Sequence, residues 1–124
     1  MLLARGLGDD SRAETLISGG GDGTIKLWSL DCGKNTGPRK PASLEHGDNS
    51  ILALALEGTV LYSGRLEGDI DVWDLDTRQL IRVVKVHSAD VLTLAVGHGL
   101  LFSGAANGTA KVLSRICVLA RYIY

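Results

Sequence analysis

Cysteine, proline and tryptophan are scarce in this 124-residue chain, two of each, and these and other shortages each close off a class of protein. Cys32 and Cys117 stand far apart with neither CxxC nor metal-type spacing, which suits a reducing compartment better than a disulfide scaffold. Charge of one sign is missing too. Thirteen Lys and Arg against 14 Asp and Glu, interspersed, leave a net charge of −1, so no field draws in nucleic acid or an anionic membrane. The longest unbroken apolar run, Ile51 to Leu56, falls far below the roughly 18 residues that mark a membrane-spanning helix. Met1 to Ala4 is apolar but runs into Arg5, Gly6, Gly8, Asp9 and Asp10, so no secretion signal is visible. The expectation is a soluble cytoplasmic protein, with the nucleus left open. What the chain does have is 45% hydrophobic residues and 16 glycines, enough for one modest core and too little for two domains.

Laid over itself, the chain repeats. Ser18-Gly19-Gly20-Gly21-Asp22-Gly23-Thr24-Ile25-Lys26-Leu27-Trp28 superimposes without gaps on Ser63 to Trp73 and on Ser103 to Leu113, the starts lying 45 and 40 residues apart. Each unit carries strand signals: Ile51 to Leu56 matches Val91 to Val96 as an inner strand, and Val60 to Gly64 matches Leu100 to Gly104 and Leu16 to Gly19 as a second. Between second and third strands lie Gly20 to Gly23, Arg65 to Gly68 and Ala105 to Gly108, each ending in an acidic or amide residue and Gly, which is hairpin-turn chemistry. Third strands follow at Thr24 to Trp28, Asp69 to Trp73 and Thr109 to Leu113, and outer strands at Gln79 to Val84 and Ser114 to Tyr122. The outer strand after Trp28 is blurred by Asp31 to Pro41, which holds both prolines and reads as a long solvated loop.

A β repeat of 40 to 45 residues ending in a Trp-Asp-like pair, here Trp28-Ser29, Trp73-Asp74 and Leu113-Ser114, has the period of propeller blades. Over roughly residues 14 to 121 the chain resembles the WD-repeat family, most tellingly in Gly-Asp-Gly-Thr-Ile-Lys-Leu-Trp-Ser at 21 to 29. The fold implied is an all-β, partial WD-repeat β-propeller of about three four-stranded blades, a single domain over 1–124 in units of roughly 1–44, 45–86 and 87–124. The resemblance also implies a hydrogen-bonded set of Trp, Ser or Thr, His and Asp in each blade. The first unit offers Ser18, Asp22 and Trp28 without an upstream His, so its innermost strand is expected to be imperfect or missing. The second offers His46, Ser63, Glu67 and Trp73, with Glu67 in the usual place of Asp, which puts the full network in doubt there. The third offers His87, Ser103 and Asn107, but Leu113 replaces the indole, so that blade is expected to be held mostly by packing.

A second likeness covers Leu61 to Gly68, Val72 to Leu80 and His87 to Leu92, which resemble the propeller of fungal glutathione-degrading peptidases. In that family the propeller precedes a separate metallopeptidase domain, whose metal-binding segments do not occur here, so the likeness implies a non-catalytic part.

Catalytic and ligand-binding alternatives are weaker than structural ones. Gly19 to Gly23 lacks the following Lys-Ser/Thr and helix of a phosphate loop. His46, His87 and His98 have no Cys, Asp or Glu at ligand spacing, and Gly97-His98-Gly99 reads as a surface turn. Ser88, His87 and Asp90 are too close in sequence to line up as nucleophile, base and orienter. Lys85, Arg82 and Arg78 have no interleaved aromatics to stack bases. The expectation is therefore no enzyme, no cofactor and no metal. What remains is an interaction scaffold for proteins or peptides. The family's rim positions, carried over residue by residue, are Gly21, Leu66 and Ala106 in the turns and Ser50, Leu52, Asp90 and Leu92 at the inner-strand entries. Closed propellers need roughly four to eight blades, so the chain reads as a fragment or as a protein that associates with itself through open strand edges.

Overall fold

The gapless repeat becomes three antiparallel sheets built to one plan. A computed structural model of the chain describes residues 2–5, 14–29 and 42–114. The first sheet runs β1 (Leu2–Arg5), β2 (Glu14–Gly19), β3 (Thr24–Ser29) and β4 (Ala42–Glu45) in that order. The second runs β5 (Ile51–Glu57), β6 (Val60–Arg65), β7 (Asp69–Asp74) and β8 (Gln79–Lys85). The third pairs β9 (Val91–Gly97), β10 (Leu100–Ala105) and β11 (Ala110–Ser114). This all-β architecture is that of a partial propeller. Of the outer strand expected over Ser114 to Tyr122, Ser114 ends β11 and the rest lies outside the described residues, as do the loop over Asp31 to Pro41 and both cysteines.

Of the two alternatives for the innermost strand of the first unit, imperfect or missing, the structure shows the first: β1 is present, pairing Leu2 with Ile17 and Arg5 with Glu14, but has four residues where β5 and β9 have seven. The missing upstream His removes a side-chain tie but not the backbone pairing, which needs no particular side chain.

Alternation along each strand gives every sheet two faces, and the second sheet packs one of them on the first sheet and the other on the third. Ile17, Ile25, Leu27 and Leu44 of the first sheet pack against Ile51, Leu61, Trp73 and Leu75 of the second. Tyr62, Ile70, Val72 and Ala55, on the opposite face of the second sheet, pack against Val91 and Leu101 of the third. The core is therefore two layers between sheets, and the same strand positions recur in both.

Glycine makes the close approach possible. A Cβ on Gly19 would lie 2.5 Å from Cγ2 of Ile51, and one on Gly64 2.6 Å from Cγ1 of Val91. Gly19 and Gly64, each in the second strand of its sheet, are thus the seats of the β-branched residues that open the next sheet. The seat's backbone is tied as well: Ile51 N–H donates to the Gly20 carbonyl at 3.0 Å. Gly64→Ala is expected to force these sheets apart and to lower stability by about 1–3 kcal/mol, the usual cost of overpacking, as measured by urea denaturation.

Candidate functional site

The rim positions fall on the turns and strand entries that join one sheet to the next, and most of them are linked by hydrogen bonds. Ser50 Oγ donates to the Gly21 carbonyl at 2.8 Å, and Leu66 N–H donates to the Ser50 carbonyl at 3.2 Å. One sheet further on, Glu67 N–H donates to Asp90 Oδ1 at 2.9 Å, and Ala106 N–H donates to the Asp90 carbonyl at 2.9 Å. Glu67 adopts φ +70° in its turn, and its backbone rather than its carboxylate makes this contact. Gly21, Ser50, Leu66, Asp90 and Ala106 thus form a belt across the three sheets.

Leu52 and Leu92 stand apart from the belt. Both are the extra residue where the inner strand bulges: β5 pairs Ile51 with Arg65 and Ala53 with Gly64, skipping Leu52, and β9 pairs Val91 with Ala105 and Thr93 with Gly104, skipping Leu92. A bulge re-aims its side chain out of the regular alternation. Leu52 is 41% and Leu92 54% exposed, while their neighbours Ile51 and Val91 are buried in the two inter-sheet layers. Sequence reasoning marks these two leucines by their place in the repeat; the bulge that frees them from the packing faces has no signature in it.

The polar sets expected of each blade are assembled unequally. In the first sheet Trp28 Nε1 donates to Ser18 Oγ at 3.1 Å, and Asp22 Oδ1 accepts the Thr24 N–H at 3.0 Å. In the second, His46 is exposed, and Ser63 Oγ and Trp73 Nε1 are buried with no hydrogen-bond partner among the described residues.

The third set corrects the expectation of a blade held mostly by packing. His87 Nε2 lies 2.8 Å from Ser103 Oγ and Nδ1 lies 2.9 Å from Thr109 Oγ1, whose proton goes to Asn107 Oδ1 at 2.7 Å. With that proton committed, Thr109 accepts from Nδ1–H and Ser103 donates to Nε2, so His87 is the neutral Nδ1–H tautomer. Burial, with the Lys111 charge adding to it, holds this imidazole below its ordinary value of 6.5. Both ring nitrogens are thereby used structurally. Among the described residues no three of His, Cys, Asp and Glu converge as a metal site, and no helix is long and apolar enough to cross a membrane.

Arg65 and Asp71 were not singled out by the sequence, and they take over where the second sheet's network fails. Arg65 Nε donates to Asp71 Oδ2, and both side chains are almost fully buried. Arg65 Nη1 also donates to the Asn49 carbonyl at 2.7 Å, and Nη2 to the Gly23 carbonyl at 3.1 Å. One guanidinium therefore ties the first sheet's turn, the linker and the second sheet together. Burial pushes the Asp71 carboxyl above its ordinary value, and the Arg65 charge pulls it back only in part. The signal available in the sequence was a contrast: Gly20 and Ala105 occupy the place of Arg65 in the other units, and Lys26 and Lys111 that of Asp71.

Comparison with known proteins agrees with this geometry. The family model of the WD domain, G-beta repeat, matches residues 8–29. The budding-yeast protein "Probable di- and tripeptidase DUG2" is 34% identical over 90 residues, which are 69% of this chain and 10% of that protein. The fission-yeast "U3 small nucleolar RNA-associated protein 15" is 31% identical over 103 residues, 82% of this chain and 20% of that protein. The crystal structure of the computationally designed Ika4 protein superimposes with a TM-score of 0.68 at 35% identity, covering 87% of this chain and 63% of that one. The chain spans only a small part of the curated relatives it matches. Repeated sheets with conserved turn geometry, stacked face to face, define a blade-repeat protein. The chain belongs to the WD-repeat family.

Two outcomes test the site's supports. Arg65→Ala strands a buried carboxylate and is expected to cost about 3–5 kcal/mol, whereas the double change Arg65→Met with Asp71→Leu recovers most of it, as read by urea denaturation. For His87 the folded value lies below the unfolded one, so its contribution is fully present above pH 6.5 and is lost as pH falls from there through the folded value. Between pH 8 and pH 5 the urea midpoint of the wild type is expected to drop further than that of His87→Gln.

Proposed function

We propose that this chain is a non-catalytic interaction scaffold that presents its rim to other proteins or peptides, with Leu52 and Leu92 as the apolar anchors of that surface. The observation that carries this reading is the pair of bulges. At the same place in successive blades an apolar side chain is turned out of the packing and left about half exposed. Gly21, Ser50, Leu66, Asp90 and Ala106 are fixed by the hydrogen-bonded belt, so a partner would meet a rigid surface there and lose little entropy in ordering it. WD repeats as a family support such a role. The cytoplasm is its proposed location, and the nucleolar name of the fission-yeast relative keeps the nucleus in view.

A second reading rests on the likeness to the yeast di- and tripeptidase: the chain serves as the propeller portion of a peptidase complex of glutathione degradation, with catalysis carried elsewhere. A metallopeptidase sequence downstream in the same reading frame would favour it, and its absence from the complete gene would remove it.

The scaffold is tested by affinity capture from the native cells with wild-type, Leu52→Asp and Leu92→Asp proteins. Either substitution is expected to weaken capture of a specific partner by about tenfold or more with the circular dichroism of the fold unchanged. Capture indifferent to both changes would take these leucines out of the site.

A further inference from the structure

The rim that presents Leu52 and Leu92 carries charge of one sign. Its connectors are the turns at 20–23, 66–68 and 106–109 and the linkers at 46–50 and 86–90. Together they contain the carboxylates Asp22, Asp48, Glu67 and Asp90 and not one Lys or Arg, in a chain whose net charge is only −1. Asp22, Asp48 and Glu67 are exposed and Asp90 is half-buried. The backbone N–H groups that bond to Asp22 and Asp90 use a single oxygen of each, Oδ1. Asp48 and Glu67 form no side-chain ion pair among the described residues.

The nearby cations are committed to the protein's own groups. Arg65 is buried and its charge is matched by Asp71. The Lys85 ammonium donates to the Glu67 carbonyl at 3.0 Å and the Lys111 ammonium to the Val86 carbonyl at 2.6 Å. Lys26 Nζ lies 6.0 Å from the centroid of the Trp28 ring. His87 is neutral, with both ring nitrogens occupied. Two lysine charges against four carboxylates leave the rim acidic.

These carboxylates belong to the same construction as the leucines. Asp48 lies four residues before Leu52 and Asp90 two before Leu92, in the linkers that run into the bulges. The turns bearing Asp22 and Glu67 are tied to those linkers, through Ser50 Oγ on the Gly21 carbonyl and through the Glu67 N–H on Asp90. We propose that the partner seated on Leu52 and Leu92 is a basic segment of polypeptide, in which Lys or Arg residues flank apolar ones. This rests on the scaffold reading and adds the chemistry of what the scaffold holds. The leucines, 41% and 54% exposed, take the apolar side chains, and the carboxylates of the linkers and turns take the cations. Charge complementarity of this kind acts most on the choice of partner and on the rate of association. Nucleic acid or an anionic membrane would bring phosphates against carboxylates. A metal ion needs donors that converge, and among the described residues no three of His, Cys, Asp and Glu do so. Carboxylates spread over successive connectors match charges spread along a chain.

The test is fluorescence anisotropy of the purified protein with the labelled peptide Gly-Arg-Leu-Lys-Leu-Arg-Leu-Gly and two controls, one with Glu in place of every Arg and Lys and one with Ser in place of every Leu. The basic apolar peptide is expected to bind about tenfold or more tighter than either control. The double change Asp48→Asn with Glu67→Gln is expected to weaken it by about fivefold and Leu92→Ser by about tenfold, whereas Asp76→Asn, at the opposite end of the second sheet, leaves it unchanged. Raising the salt from about 50 to about 500 mM is expected to weaken it by about tenfold, as screening shortens the reach of exposed charges. Failure of the basic peptide to bind at about 1 mM, binding of the acidic or the Ser peptide as tight as its own, or indifference to the double neutralisation would each overturn the inference. The same double variant in the affinity capture separates this inference from the scaffold reading. A native partner lost with Leu52→Asp and Leu92→Asp but kept by Asp48→Asn with Glu67→Gln leaves the scaffold standing and removes the basic partner.

Discussion

The structure depends on sheets approaching closely enough for a β-branched side chain to seat over a glycine. Gly19 beneath Ile51 and Gly64 beneath Val91 set the separation at which Leu61 and Trp73 reach the first sheet and Leu101 reaches the second. A methyl group at either glycine would move an entire face, because interiors are packed as densely as organic crystals and have little room to give. The backbone bonds at the rim follow from the same approach: Ile51 N–H meets the Gly20 carbonyl only when its side chain is seated.

Within that common geometry, the two inter-sheet layers are held by different chemistry. Between the first and second sheets a buried guanidinium and carboxylate span the gap, with three of the guanidinium's bonds accounted for. On the third sheet a neutral histidine bridges two hydroxyls. The first arrangement spends the second sheet's polar capacity on charge, and Ser63 Oγ and Trp73 Nε1 are left buried without partners among the described residues. The second spreads its polar contacts over His87, Ser103, Thr109 and Asn107 and has no need of an indole.

Most of the fold was legible because the repeat is written in turn chemistry and strand period, which act locally. The second and third strands fall where the Ser-Gly and Gly-Thr or Gly-Asp signals place them, and β8 follows the pattern of Gln79 to Val84. Whether β1 would be short or absent stayed open, because a missing histidine says little about a strand that needs only backbone pairing. Arg65 and Asp71 were missed for a different reason: six residues apart on adjacent strands, they look like two solvated charges until the first sheet covers them. The third blade's relay turned on Thr109, which in sequence is one more polar residue after a turn glycine. Long-range burial decides the last two cases, and a local pattern does not carry it.

The bulges at Leu52 and Leu92 separate two demands that usually compete. A residue in regular alternation belongs to a packing face, so changing it to suit a ligand disturbs the fold. A residue that the ladder skips belongs to neither face, and its identity is free of the register of the strand around it. On the scaffold reading proposed above, recognition would be mutable apart from folding: a lineage could exchange one partner for another at these two positions while the sheets that carry them stay as they are.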